Sequence, residues 1–227
     1  MSQAINDKQT VALHAAAFVQ DGMTVGLGTG STANYFIEEL ARRKQQEGLN
    51  VTTVASSTVS TIKAQELGLN LIAIEHLTSL DFYVDGADEV SPDLTLLKGR
   101  GSDLVREKLL AHVAKEMIVM IDSSKRVQKI GEKFPIPVEV MPFAWQLVQG
   151  RLKDLGGRGE LRPNATGDGL AVTSHGSLVL DMTFEEHLDA QAINTLLNSV
   201  PGVVEHGIFH QLATSVLMAE HGAVLEL

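Results

Sequence analysis

Apolar positions near a 3.6-residue spacing run from about Asp7 to Val19 and predict a helix rich in alanine. The pattern then shortens to MTVGLG (23–28), a buried strand, and returns to helical spacing over 31–45. VTTVAS (51–56) reads as a strand, TVSTIKAQELG (58–68) as a short helix, and LNLIAI (69–74) and DFYVD (81–85) as further strands. LTLLK (94–98) is strand-like, 102–116 helical, and MIVMID (117–122) a strand. Strands alternating with helices predict a mostly parallel sheet covered on both faces.

Beyond Lys125 the order changes. PIPVEVM (135–141) is strand-like and 143–157 helical. GELR (159–162), GLAVT (169–173) and SLVLDM (177–182) are strand-like, 185–200 is helical, and VVEHGIF (203–209) closes the series. This is the β-α-β-β-α-β order of the split-βαβ, ferredoxin-like unit. The expected fold is therefore α/β, with a Rossmann-like domain over 1–130 and about 206–227 and a smaller α+β domain over 131–205. The tail, 215–227, is expected to return to the first sheet.

Composition narrows the function classes. A chain of 227 residues can bury a sizeable core. Its formal charge of −10 argues against a nucleic-acid binder, which needs a basic face. With no cysteine there are no disulfides, thiolate metal sites or cysteine nucleophile. No apolar run suits a membrane span, and MSQAINDKQTVALHAAAF has no leader pattern, so a cytoplasmic location is expected. An acidic protein that handles an anion must concentrate its few cations locally.

Four stretches carry candidate chemistry. In GLGTGSTA, the Rossmann fingerprint from Gly26 puts Ser31 where its third glycine belongs, and there is no Walker lysine. Gly30, the hydroxyls of Thr29, Ser31 and Thr32, and a helix start suit a single phosphate or carboxylate; the alternative is an ordinary tight turn capped by Ser31 or Thr32. In DFYVDGADEVSP, Asp85 ends a strand and Asp88 follows in a loop, placed to hold sugar hydroxyls, to act as acid or base, or simply to sit solvated in a turn; a hard-metal site there lacks a supporting histidine or second acidic cluster. In LKGRGSDLVREKLL, Lys98 ends a strand and Glu107 lies on the following helix, off the side formed by Leu104, Val105, Leu109, Leu110 and Val113. Glu107 is either a solvated surface residue or, with Lys98, the base and cation needed to form an enediolate. In IDSSK, Lys125 is either a phosphate cation or a surface lysine, and Lys8 is a weaker candidate of the same kind. The eight histidines show no metal-site spacing, and no G-x-S-x-G elbow occurs.

Taken in order, GLGTGSTA, SSTVST (56–61), YVDGADE (83–89), LKGRG with REK (106–108), IDSSK, FPIPVEVMP (134–142) and LGGR (155–158) resemble ribose-5-phosphate isomerase of the A type. The resemblance runs from about residue 8 to beyond 205. It implies interconversion of ribose 5-phosphate and ribulose 5-phosphate, without metal or organic cofactor, by a homodimer or homotetramer. It makes Glu107 the base, Lys98 the stabiliser of the enediolate, and Asp85 the residue that helps open the furanose ring. Asp88 would hold sugar hydroxyls, with Gly86, Ala87, Gly99, Arg100 and Gly101 lining the sugar. Thr29, Gly30, Ser31 and Thr32 would take the phosphate, with Lys125 and Lys8 as cations.

One departure stands out. The family usually continues Lys-Gly-Gly-Gly-Ala-Ala, whereas this chain has Lys98-Gly99-Arg100-Gly101-Ser102-Asp103. Arg100 is expected to pair with Asp103 at the surface; the alternative is a substrate contact that alters sugar preference, or a binder without catalysis. A CoA transferase or a sugar-phosphate-sensing regulator fits less well, for want of a nucleotide loop or a DNA-binding segment.

Overall fold

The computed structural model describes residues 6–101 and 103–227, so Ser102 lies outside the described residues. In chain order the elements are α1 (Asp7–Ala17), β1 (Thr24–Leu27), α2 (Ser31–Glu47), β2 (Thr52–Ala55), α3 (Thr58–Glu66), β3 (Asn70–Leu71), β4 (Leu80–Gly86), β5 (Glu89–Val90) and β6 (Leu96–Leu97). They continue with α4 (Leu104–Val113), β7 (Ala114–Asp122), β8 (Ile136–Val140), α5 (Trp145–Asp154), β9 (Gly157–Leu161) and β10 (Leu178–Phe184). The last are α6 (Ala190–Asn198), β11 (Val203–His206), β12 (Ile208–Phe209), β13 (Ser215–Glu220) and β14 (Ala223–Glu226).

Two compact units result. The first holds the described residues up to Ala87, then Arg106–Lys125 and Leu212–Leu227; the second holds Asp88–Val105 and Arg126–Gln211. The first is built on a seven-stranded sheet of order β14-β13-β7-β4-β1-β2-β3, parallel throughout except for the edge strand β14. From β1 the chain moves outward through β2 to β3, and then crosses back to β4 and on to β7 and β13. The reversal falls between β1 and β4, where open parallel sheets place their ligands at the strand C-termini. Its core joins Val25, Leu27 and Val84 of the sheet to Phe36, Ile37 and Leu40 of α2 and to Val11 and Ala15 of α1. Each Val, Leu, Ile or Phe side chain among these, fully buried, contributes about 1.5–3 kcal/mol relative to exposure.

The second unit carries a four-stranded antiparallel sheet of order β11-β8-β10-β9, the split-βαβ arrangement with α5 and α6 on one face. Val138 and Val140 pack there with Val148 and Leu152 of α5 and Ile193 and Leu197 of α6. The unit also takes in residues 88–105, because β5 and β6 form a small antiparallel sheet with β12. The fold class is thus the one expected, α/β with a smaller antiparallel unit.

Several elements differ from the sequence pattern for local reasons. The helix expected over 102–116 stops at Val113, because Ala114 already pairs with Leu80 and opens β7. The expected strand 94–98 shrinks to Leu96–Leu97, since Leu94 takes a left-handed φ of 60° at a turn closed by Leu94 N–H donating to Ser91. Residues 169–173 make only isolated bridges, of Leu170 to Pro163 and Val172 to Leu178. Before them Asn164 closes a turn by accepting from the N–H groups of Gly167 and Gly169. Finally, 203–209 divides at Gly207, one half joining β8 and the other β6. The tail does enter the large sheet, as β13 beside β7 with β14 outside it.

Candidate active site

In the first unit, the glycines of GLG have a plain steric cause. Gly26 sits opposite Tyr83 on β4, and a Cβ there would lie 2.7 Å from the ring; at Gly28 it would lie 2.2 Å from Asp85 Oδ1 and 2.6 Å from its Cα. Strand period places Tyr83 and Asp85 on one face of β4, and the glycines of β1 and the turn after it clear space for both.

Asp85 is fully enclosed and its oxygens are engaged. Oδ1 accepts from the N–H groups of Thr29 at 3.0 Å and Gly86 at 2.7 Å, and Oδ2 accepts from the Tyr83 hydroxyl at 2.5 Å. Burial, reinforced by the negative charges of Asp85 and Glu107, pushes the Tyr83 hydroxyl well above its ordinary pKa. Tyr83 therefore stays a proton donor to Asp85 throughout the neutral range.

The turn itself ends at Gly30, which precedes α2 with a φ of 111°, a region that favours glycine, and provides no side-chain cap. Ser31 and Thr32 are already inside the helix, so neither caps it as expected, and among the described residues no side chain caps the first N–H groups of α2. Lys8, on α1, donates to Ser31 Oγ at 3.0 Å, which brings a cation to the start of α2. Thr29 turns the other way. Its Oγ1 lies 2.9, 2.7 and 3.3 Å from the hydroxyl oxygens of Ser56, Ser57 and Ser60. Ser57 also caps α3 by accepting from Ser60 N–H, and Ser60 donates to the carbonyl of Gly28. Lys125 ends the short 3₁₀ turn after β7, half-buried.

Glu107 is buried, in the first turn of α4. The inward side of this helix only partly follows its apolar residues. Leu104 and Leu110 are buried as that pattern suggests, but so are Glu107, Lys108 and Ala111, while Leu109 is 55% exposed and Val113 is also exposed. The solvated alternative for Glu107 is thereby corrected. Its charge acts on Tyr83, so this part of the first unit concentrates two carboxylates.

The second unit holds the remaining candidates. Lys98 is buried with its ammonium 5.7 Å from the ring centre of Phe209, and its N–H donates to the Gly207 carbonyl at 2.9 Å. Asp88 donates its N–H to Leu97 and is half-buried. Arg100 does not pair with Asp103. Its guanidinium stacks 3.9 Å above the Phe134 ring and lies 4.0 Å from Asp88 Oδ1, while Asp103 accepts from the Ser174 hydroxyl at 2.6 Å. A flat guanidinium is attracted to the face of an aromatic ring, and Phe134 and Asp88 together offer Arg100 both a ring and a carboxylate.

Residues 52–222 match the family described as ribose 5-phosphate isomerase A, or phosphoriboisomerase A. A relative named ribose-5-phosphate isomerase A, from Thermosynechococcus vestitus, is 44% identical over 214 residues, covering 94% of this chain and 91% of its own. The chain belongs to this family. Among solved structures, the Methanocaldococcus jannaschii ribose 5-phosphate isomerase A superposes with a TM-score of 0.92 at 38% identity, over 97% of each chain. A D-ribose-5-phosphate isomerase in complex with phospho-erythronic acid gives a TM-score of 0.93 at 34% identity, over 98% of this chain and 99% of that one.

Sequence reasoning missed Tyr83, the serines at 56, 57 and 60, and Phe134 as parts of these clusters. Tyr83 had a usable signal, two residues before Asp85 on a strand. Phe134 had none, because its contact with Arg100 spans 34 residues of chain that only the fold brings together.

Proposed function

We propose that this chain interconverts D-ribose 5-phosphate and D-ribulose 5-phosphate through an enediolate, in the cytoplasm and within the pentose phosphate pathway. The match along 94% of the chain to a relative named for this reaction carries the reading. The burial of Glu107 beside Tyr83 supports its part as the base.

In this mechanism the N–H groups at the start of α2, with Ser31 and Thr32, hold the phosphate, and Lys8 and Lys125 balance its charge. Glu107 takes the proton from C2 of the open-chain aldose, and Lys98 holds the charge that develops on the enediolate oxygen. Glu107 returns the proton to C1 while the hydroxyl proton passes from O2 to O1, so no atom is gained or lost. Asp88 holds sugar hydroxyls, with Gly86, Ala87, Gly99, Arg100 and Gly101 along the sugar. Asp85 already accepts from two N–H groups and a hydroxyl, which favours a part in ordering the Thr29 turn. Asp85 is also the residue that helps open the furanose ring, with Tyr83 holding its Oδ2. A non-catalytic binder is not favoured, because Glu107, Lys98, Asp85 and Asp88 are all retained.

Initial rates on ribose 5-phosphate in EDTA test the reading. Turnover is expected with ribose 5-phosphate and not with ribose; equal rates on the two sugars would remove the phosphate site from the account. The homodimer or homotetramer has support in an apolar surface on the second unit. Phe143 and Leu147, one helical turn apart, are 84% and 79% exposed, and Met141 and Val204 are exposed as well. Sedimentation velocity is expected to give a dimer or tetramer, and a monomer would contradict it.

A further inference from the structure

Lys98 is followed by Gly99-Arg100-Gly101, a stretch in which two of three residues have no side chain to anchor them. We propose that Arg162 is a positioning residue for the isomerisation: it holds the backbone that follows Lys98. The inference rests on the part given to Lys98 above.

Arg162 directly continues β9, its N–H donating to the Val179 carbonyl of β10 at 2.8 Å. Its guanidinium is fixed by a two-pronged pair with Asp181 of β10, Nε to Oδ2 at 2.9 Å and Nη2 to Oδ1 at 2.6 Å. The side chain of Arg162 is only 16% exposed. Both partners stand on one ladder of the sheet, so the guanidinium plane is set before any loop contact forms. The remaining amino group, Nη1, faces three successive carbonyls, those of Gly99 at 3.3 Å, Arg100 at 3.2 Å and Gly101 at 3.5 Å. One donor group shared by three acceptors sets the direction of the whole stretch rather than of a single peptide.

Among the described residues, the side chains of the loop have other partners: Arg100 stacks on Phe134 and lies 4.0 Å from Asp88 Oδ1, and Asp103 accepts from the Ser174 hydroxyl. Upstream, Lys98 is fixed by the Gly207 carbonyl. The lysine is thus held from both sides in sequence. Lysine in place of Arg162 could pair with Asp181 but, as a single point charge, could not also reach the carbonyls in that fixed fork geometry.

Misplacing a reacting group by about 1 Å can cost about a hundredfold in rate. For Arg162→Lys and Arg162→Ala, kcat on ribose 5-phosphate is expected to fall by about tenfold or more, a larger change than any in KM. Millimolar guanidinium is expected to restore part of the Arg162→Ala rate, and ammonium is not. If Arg162→Ala does not fold, Arg162→Lys carries the test alone. Wild-type kcat in folded Arg162→Lys would overturn the proposal, as would a raised KM with unchanged kcat, or a fall in rate that only tracks the loss of folded protein. Should the wild-type chain fail to isomerise ribose 5-phosphate, the parent reading fails. Amide hydrogen exchange at 99–101 then decides for Arg162, faster in both variants if it holds the loop and unchanged if it does not.

Discussion

Glu107→Gln is expected to lower kcat by about two to four orders of magnitude, the usual contribution of a positioned general base. Substrate affinity is expected to stay near wild type, because glutamine keeps the shape of the side chain and the proposed phosphate contacts lie elsewhere. Glu107 is a buried carboxylate, and Asp85, also buried, acts on the same Tyr83 hydroxyl. Rate lost with a melting temperature near wild type marks a catalytic role, whereas a residue kept for stability alone would lower both together. Rate, binding and melting curves measured on one preparation separate the two cases. Near-normal turnover would sink the assignment.

Gly28→Ala is expected to disable the protein by a different route. The added Cβ would fall 2.2 Å from Asp85 Oδ1, 2.3 Å from its Cγ and 2.6 Å from its Cα. A flexible side chain could yield, but the backbone of β4 cannot, so β1 and β4 must separate where the sheet reverses direction. Overpacking of a tight interior costs about 1–3 kcal/mol and occasionally more, and contact with backbone belongs at the upper end. The same shift would break the Thr29–Asp85 bond and with it the geometry of the turn into α2. Both a lower melting temperature and a large loss of kcat/KM are therefore expected. A Gly28→Ala protein as stable and active as wild type would show that the close approach of β1 and β4 is not needed.

Much of this arrangement is legible in the residues, for identifiable reasons. Strands that alternate with helices leave few topologies, and a glycine turn between a strand and a helix marks the sheet's C-terminal edge. Thr29, Asp85 and Lys125 could be assigned to that edge because each ends an apolar strand or follows one within three residues. The burial of Glu107 was not legible. A helical wheel ranks residues by apolarity, and α4 turns inward a face carrying Glu107 and Lys108 while leaving Leu109 outside. Arg100 was misjudged for a related reason. Nearness in sequence favoured Asp103, but the folded chain offered the face of Phe134, and Asp103 took Ser174 instead. The hold of Arg162 on residues 99–101 crosses about sixty residues of chain and follows no motif.

The central claim is that this chain moves a proton between C1 and C2 of a pentose phosphate and that Glu107 is the group that moves it. Proton NMR of ribose 5-phosphate incubated in D2O and EDTA with wild-type protein and, in parallel, with Glu107→Gln tests it most directly. Ribulose 5-phosphate signals are expected to grow, with deuterium entering at the exchanging carbon, in the wild-type sample and to be nearly absent from the variant. An unchanged spectrum with wild type, or equal conversion by Glu107→Gln, would contradict the claim.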